Sequence, residues 1–241
     1  MVGGDPSRPE TLDGPVLDGV DAMLISPREA GPGLAELLRL AAARGVRRAV
    51  LLSSATVEYP AGEARFAEQF KHAEDLVGDS GLGWTVLRPA DFAANALAWA
   101  PQVKTSDTVR GAFGGAVTSP VHERDVAEVA AWTLSGAEHS EAVYTLTGPQ
   151  PLDQHEKVRL IGAAVGRPLS FRELPPEQVR RAMLAQGLPE EVPARLLGSL
   201  ADYAERPGPT TDTVEKLLGR PALTFADWAR DNADAFRRRP A

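Results

Sequence analysis

Four short apolar runs decide what this chain can fold into. They are "AMLIS" (22–26), "RAVLLSS" (48–54), "WTVLRP" (84–89) and "AVYTLTG" (142–148). Amphipathic segments alternate with them. Residues 33–45 carry Leu34, Leu37, Leu38 and Ala41 at helical spacing and stop on Gly45. Residues 65–77 put Phe66, Phe70, Ala73 and Val77 on one stripe, and 123–134 also read as a helix. Continuous apolar strands separated by helices predict a parallel sheet covered on both faces.

After Gly148 the texture changes. A helix over 152–167 starts at an Asp153 cap, and "LSFREL" (169–174) reads as a short strand. Further helices are predicted over 175–188, 189–205 and 224–236. The division expected is a Rossmann-like α/β core over 1–148, incomplete at its N-terminus, and a mostly helical substrate-binding lobe over 149–241, packed on the core as one unit. The lobe would close over the carboxyl ends of the strands, where open α/β sheets bind ligands.

Composition narrows the function. The chain has 241 residues, enough for one α/β domain with a small lobe. It has no cysteine, which removes disulfides, a thiol nucleophile and thiolate metal sites, and suits a cytoplasmic protein. A net charge of −7 argues against nucleic acid as a partner. No apolar run reaches the roughly 18 residues of a membrane span. The four histidines lack metal-ligand spacing, and no G-x-S-x-G elbow is present. A metal is therefore not expected. His72, His139 and His155 read as surface residues.

Five stretches together resemble the NmrA-like, atypical branch of the short-chain dehydrogenase/reductase superfamily. They are "GVDAMLIS", "VRRAVLLSS", "KHAEDLVGDSGLGWTVLRPADFAAN", "HERDVAEVAA" and "YTLTGPQPL"; the late segment "TDTVEKLLGRPALTFADWARDNADAF" adds to the match. The resemblance implies a Rossmann-type parallel sheet, NADP or NAD as cofactor, and reduction of a small, partly apolar or quinone-like substrate. Some family members instead bind the dinucleotide without turning it over and act as regulators.

Two departures bear on that expectation. The family opens with a strand and a G-x-x-G-x-x-G turn, whose glycines let backbone approach the diphosphate. Here Val2–Gly3 read as a strand end, and Gly3-Gly4 runs into Asp5 and a Pro/Ser stretch that match the family's third strand. The reading is an N-terminally truncated core lacking about 50 residues, on the order of one βαβ unit and more. A genuine short form and a start placed too late both stay open. Loss of that unit would weaken dinucleotide affinity and leave "AMLIS" as an exposed apolar edge through which two copies could pair. The second departure is at the catalytic helix. Lys71 falls where the resemblance places the Lys of Tyr-x-x-x-Lys, but the residue four earlier is Ala67.

Candidate residues follow, each beside its structural alternative. The resemblance gives Lys71 a catalytic and ribose-binding role; otherwise it is a surface lysine paired with Glu68 or Asp75. Asp5, Ser26, Pro27, Ser53 and Ser54 are cofactor candidates at strand ends, where the hydroxyls also fit ordinary turns. Pro89 and Ala90 would present backbone to a nicotinamide amide. Phe92 and Asn95 would face the substrate, unless Phe92 is core and Asp91 a helix cap. Arg88 would pair with an acidic neighbour, and Asp125 would anchor structure.

Overall fold

The computed structural model describes residues 4–12, 16–136 and 138–238. The strand end read at Val2–Gly3 and the last arginine of the tail, Arg239, lie outside the described residues. In chain order the elements are β1 (Ala22–Ile25), α1 (Pro27–Ala30), α2 (Leu34–Ala43), β2 (Arg48–Leu52), α3 (Ala64–Gly78), β3 (Gly83–Pro89), α4 (Ala100–Thr105), β4 (Thr108–Gly111), α5 (Glu123–Ser135) and β5 (Ala142–Leu146). They continue with α6 (Gln154–Val165), β6 (Ser170–Glu173), α7 (Pro176–Ala185), α8 (Glu191–Glu205), α9 (Thr213–Leu218), α10 (Phe225–Asp231) and α11 (Ala233–Phe236).

The main sheet has the order β1-β2-β3-β5, and every neighbouring pair is parallel. Adjacent residues of a strand point to opposite faces, and on the central strands β2 and β3 both faces are buried. Ala49, Leu51 and Val86 pack with Leu34, Leu37 and Leu38 of α2 and with Ala73 and Val77 of α3. Val50, Leu87 and Leu146 pack on the other side with Val126, Val129 and Ala130 of α5 and Val214 of α9. The continuous apolar runs therefore follow from the two helical layers. β1 ends the sheet, and Leu24 on it is 50% exposed, as the apolar edge was expected to be.

The lobe differs from the expectation in one respect. Its core joins Ala93, Ala96, Val103 and Val109 to Val158, Ile161, Phe225, Trp228 and Phe236. β4 pairs in parallel with β6 across the two segments. Residues 93–111 thus belong to the lobe's interior, and a cut at 148 does not separate two cores. The strand at 108–111 escaped the sequence reading because four residues with one buried position carry almost no periodicity.

Local caps place the other boundaries. The Asp153 side chain accepts the Glu156 N–H at 2.7 Å, and Gly166 closes α6 in the left-handed conformation with φ 73°. The helix expected over 224–236 divides at Asn232 into α10 and α11. His139 corrects a surface assignment: it is 5% exposed, with Nδ1 3.0 Å from the Tyr144 hydroxyl and its ring 4.0 Å from that of Trp132.

Candidate functional site

The parallel strands all deliver their carboxyl ends to one rim. β1 gives way to Ser26 and to Pro27 at the first position of α1, where the missing N–H costs nothing. After β2, the Ser53 N–H donates to the Leu87 carbonyl at 2.7 Å. Its hydroxyl donates to Glu74 Oε1 at 2.5 Å. Arg88 holds the same carboxylate through two bonds, Nε to Oε1 at 2.9 Å and Nη2 to Oε2 at 2.7 Å. Ser53 therefore presents its oxygen to the cleft as an acceptor, since a carboxylate can only accept. Ser54 caps the next turn by accepting the Thr56 N–H at 3.3 Å. After β3, the Ala90 N–H donates to the Leu146 carbonyl at 3.0 Å.

These strand ends line a cleft of about 380 Å³. Its floor holds a buried ion pair. Lys157 Nζ on α6 donates to Asp91 Oδ2 at 3.0 Å and to Thr118 Oγ1 at 2.6 Å. Thr118 in turn donates to Asp91 Oδ2 at 2.7 Å, and Asn95 Nδ2 donates to Oδ1 at 2.9 Å. Burial pushes the Asp91 carboxyl up, but Lys157 with the hydrogen bonds of Asn95, Thr118 and Lys157 outweighs it, so the group lies below its ordinary range. The opposite wall is apolar and partly aromatic, with Phe92, Trp99, Leu200 and Phe225. Tyr203 on α8 also lines it, and burial, then Asp91 and Asp202, push its phenol up. At the mouth, Arg195 of α8 lies 4.8 Å over the Phe66 ring.

Eight of the residues singled out from sequence meet in this cleft: Ser26, Pro27, Ser53, Ser54, Pro89, Ala90, Phe92 and Asn95. Phe92 serves both uses considered for it, since it also packs against the core on β3 and β5. Two others lie elsewhere. Lys71 is 55% exposed on α3 and pairs with Asp75, the surface alternative. Asp5 accepts from Ser7 and Arg8 in the opening loop and does not line the cleft. His122 caps α5 by accepting the Arg124 N–H at 3.1 Å. Asp125, fully buried, receives Arg220 Nη2 at 2.7 Å and the Leu223 N–H at 2.8 Å, so it anchors the segment before α10. No group of potential metal ligands occurs among the described residues.

Sequence reasoning missed Lys157, Thr118, Tyr203, Arg28 and Arg195. Lys157 offered one faint signal: it takes a position on the same stripe as Val158 and Ile161, where a solvated lysine is out of place.

A family model described as NAD(P)H-binding matches residues 1–136. (4-alkanoyl-5-oxo-2,5-dihydrofuran-3-yl)methyl phosphate reductase of Streptomyces griseus is 36% identical over 221 residues, spanning 91% of this chain and 78% of its own. NAD(P)H azoreductase of Xenophilus azovorans is 31% identical over 240 residues, spanning 97% and 82%. Among solved structures, the NADPH-dependent quinone oxidoreductase of Escherichia coli complexed with NADPH superposes with a TM-score of 0.80 at 24% identity, covering 95% of this chain and 82% of that one. At that identity the likeness speaks to the fold.

Proposed function

This chain belongs to the NAD(P)H-binding family of reductases, and from that premise we propose that it reduces a small, flat, conjugated acceptor with NADPH or NADH. The observation that carries the reading is the cleft itself: strand ends on one wall, aromatic rings on the other, and one buried ammonium–carboxylate pole between them. The names of the relatives specify a quinone, an azo compound and an alkanoyl dihydrofuranone phosphate. A conjugated double bond that can take up a hydride is common to all three.

The residues present fit one end of the dinucleotide. Ser26, Pro27, Ser53, Ser54, Pro89 and Ala90 are short or ring-closed, so backbone and hydroxyl groups can reach a nicotinamide amide and its ribose. They supply no counterpart for the diphosphate: the sequence contains no G-x-x-G-x-x-G turn, and among the described residues β1 has no neighbour on its outer side. Bound at this rim, the cofactor supplies a hydride from its reduced nicotinamide ring.

The chain's own residues do the rest. Phe92, Trp99 and Phe225 offer flat apolar surface on which a conjugated acceptor stacks. Lys157 has spent two of its three N–H bonds, on Asp91 and Thr118. We assign the third to the acceptor's oxygen, where it stabilises the negative charge that develops on reduction. Asp91 fixes the ammonium in place beforehand, so little reorganisation is needed during reaction. Tyr203, whose phenol burial pushes further above its ordinary value, is neutral at pH 7 and is a second donor beside the pole. The remaining proton comes from water.

The free edge of β1, with Leu24 half exposed, is taken in the same reading as the surface on which two copies pair. Elution at monomer mass at working concentration would refute that part alone.

The test is loss of reduced-nicotinamide absorbance with a naphthoquinone, an azo dye and an unsaturated lactone. Turnover of at least one, with kcat cut about tenfold or more in Lys157→Met, supports the reading. Tight NADPH binding without oxidation by any acceptor would instead make the protein a dinucleotide-sensing regulator. A stable fold that binds no dinucleotide would make the cleft a site for non-redox chemistry.

A further inference from the structure

The charge of the cleft runs against that of the chain. The whole sequence carries −7, yet the charged side chains lining the cleft are Arg28, Lys157, Arg195 and Asp91, three cations and one carboxylate. Asp91 is committed to Lys157. Arg28 and Arg195 make no hydrogen bond or ion pair among the described residues; the one partner of Arg195 is the face of Phe66, at 4.8 Å.

Their position is specific. Arg28 stands on the turn that leaves β1, and Arg195 on α8 of the lobe. Both also line a second, adjoining cavity of about 810 Å³ between α2, α3 and α8. The two arginines thus mark the mouth where the inner cleft opens into the outer one, one from the sheet side and one from the lobe. Glu63 and Glu191 line the outer cavity, yet neither pairs with them. Burial lowers the basicity of Arg195, and the like charge of Arg28 lowers it further. Two guanidinium groups repel when nothing lies between them, and a doubly charged anion between them converts that repulsion into two forked contacts.

We propose that Arg28 and Arg195 form a clamp for a phosphate-type anion carried by a ligand in the cleft. The proposal rests on the reading that the cleft holds a dinucleotide and an acceptor. The anion has two sources: a phosphoryl group on the acceptor, or the diphosphate of the dinucleotide. In either case the clamp joins sheet to lobe across the opening.

Calorimetric titration tests this with three probes: phenyl phosphate, phenol as its uncharged counterpart, and NADPH. The proteins are the wild type, Arg28→Gln, Arg195→Gln, the double variant, and Arg65→Gln as a control from the outer cavity. Both arginines are on exposed or half-exposed surface, so circular dichroism should show the variants folded. Loss of a charge-assisted contact of this kind weakens binding by about tenfold per arginine. Weaker phenyl phosphate binding in the double variant, with phenol and NADPH unmoved, establishes the clamp and gives the anion to the acceptor. Weaker NADPH binding, with phenyl phosphate failing to compete, establishes it and gives the anion to the dinucleotide. If neither ligand shifts by more than about twofold, as surface charges without a role behave, the clamp is refuted. That result beside naphthoquinone turnover sinks the clamp alone. Phenyl phosphate binding that needs both arginines, in a protein that takes no dinucleotide, sinks the reductase reading and leaves the clamp.

Discussion

Replacing Lys157 by methionine removes the ammonium while keeping most of the side-chain volume, and it isolates what the buried pole contributes. The Lys157 side chain is 5% exposed and that of Asp91 is 23% exposed. Breaking a buried pair from one side costs about 3–5 kcal/mol, because the remaining charge is left without its partner. Asp91 retains Asn95 and Thr118 as donors and some access to water, so the low end applies, about 3 kcal/mol. For a chain of this length each kcal/mol moves Tm by roughly 2–4 °C, giving a fall of about 6–12 °C. The pH dependence has a definite sign. In the intact pair the Asp91 carboxyl lies below its ordinary value of 3.8, so its contribution is present above that pH and lost as pH falls through the lowered value. Without Lys157 the folded value rises, because the lysine's charge and hydrogen bond no longer offset burial. The variant's penalty is then full at pH 7 and shrinks as pH falls through the raised value. Thermal unfolding by circular dichroism at pH 7 and about pH 5 reads both effects. Adding Asp91→Asn to Lys157→Met should restore most of the loss, with a coupling of about 2 kcal/mol in the cycle. Additive single variants, or a penalty that grows on acidification, would refute the buried pole.

Three further outcomes follow. Lys71→Ala should leave kcat and KM within about twofold of wild type, because its ammonium pairs with Asp75 on an exposed face; a large fall in kcat would return Lys71 to the reaction. Asp125→Ala removes the acceptor for Arg220 and for the Leu223 N–H, and should cost about 2–3 kcal/mol in urea unfolding. Thr224→Ala breaks the capping box at the start of α10 and should cost about 1 kcal/mol by the same measurement.

The sheet was legible because buried strands write themselves as unbroken apolar runs, and Val50 and Leu51 show why: each enters a different helical layer. The strand ends were legible too, since chain direction and turn residues locate a rim without long-range information. What failed was long-range. Asp91 and Lys157 are 66 positions apart, and nothing local marks them as partners. Arg28 and Arg195 come from the sheet and from the lobe, and only the fold brings them to one mouth. Lys71 differs in kind: the resemblance to Tyr-x-x-x-Lys gave its place, that likeness does not say which side of the helix faces the ligand, and here the ammonium pairs with Asp75 on an exposed face.

The path of the chain between sheet and lobe has a mechanical result. It leaves the sheet at Phe92, returns at Val121 and departs again at Leu152, and backbone bridges stitch these passages, Phe92 to Val121 and Thr118 to Leu152. A cap tethered by a single connection can swing; one sewn down along three adjacent passages can only slide by small amounts. Swapping the segment after residue 148 for that of a relative would therefore break the bridge from Leu152 to Thr118, the residue that donates to Asp91, instead of exchanging a lid.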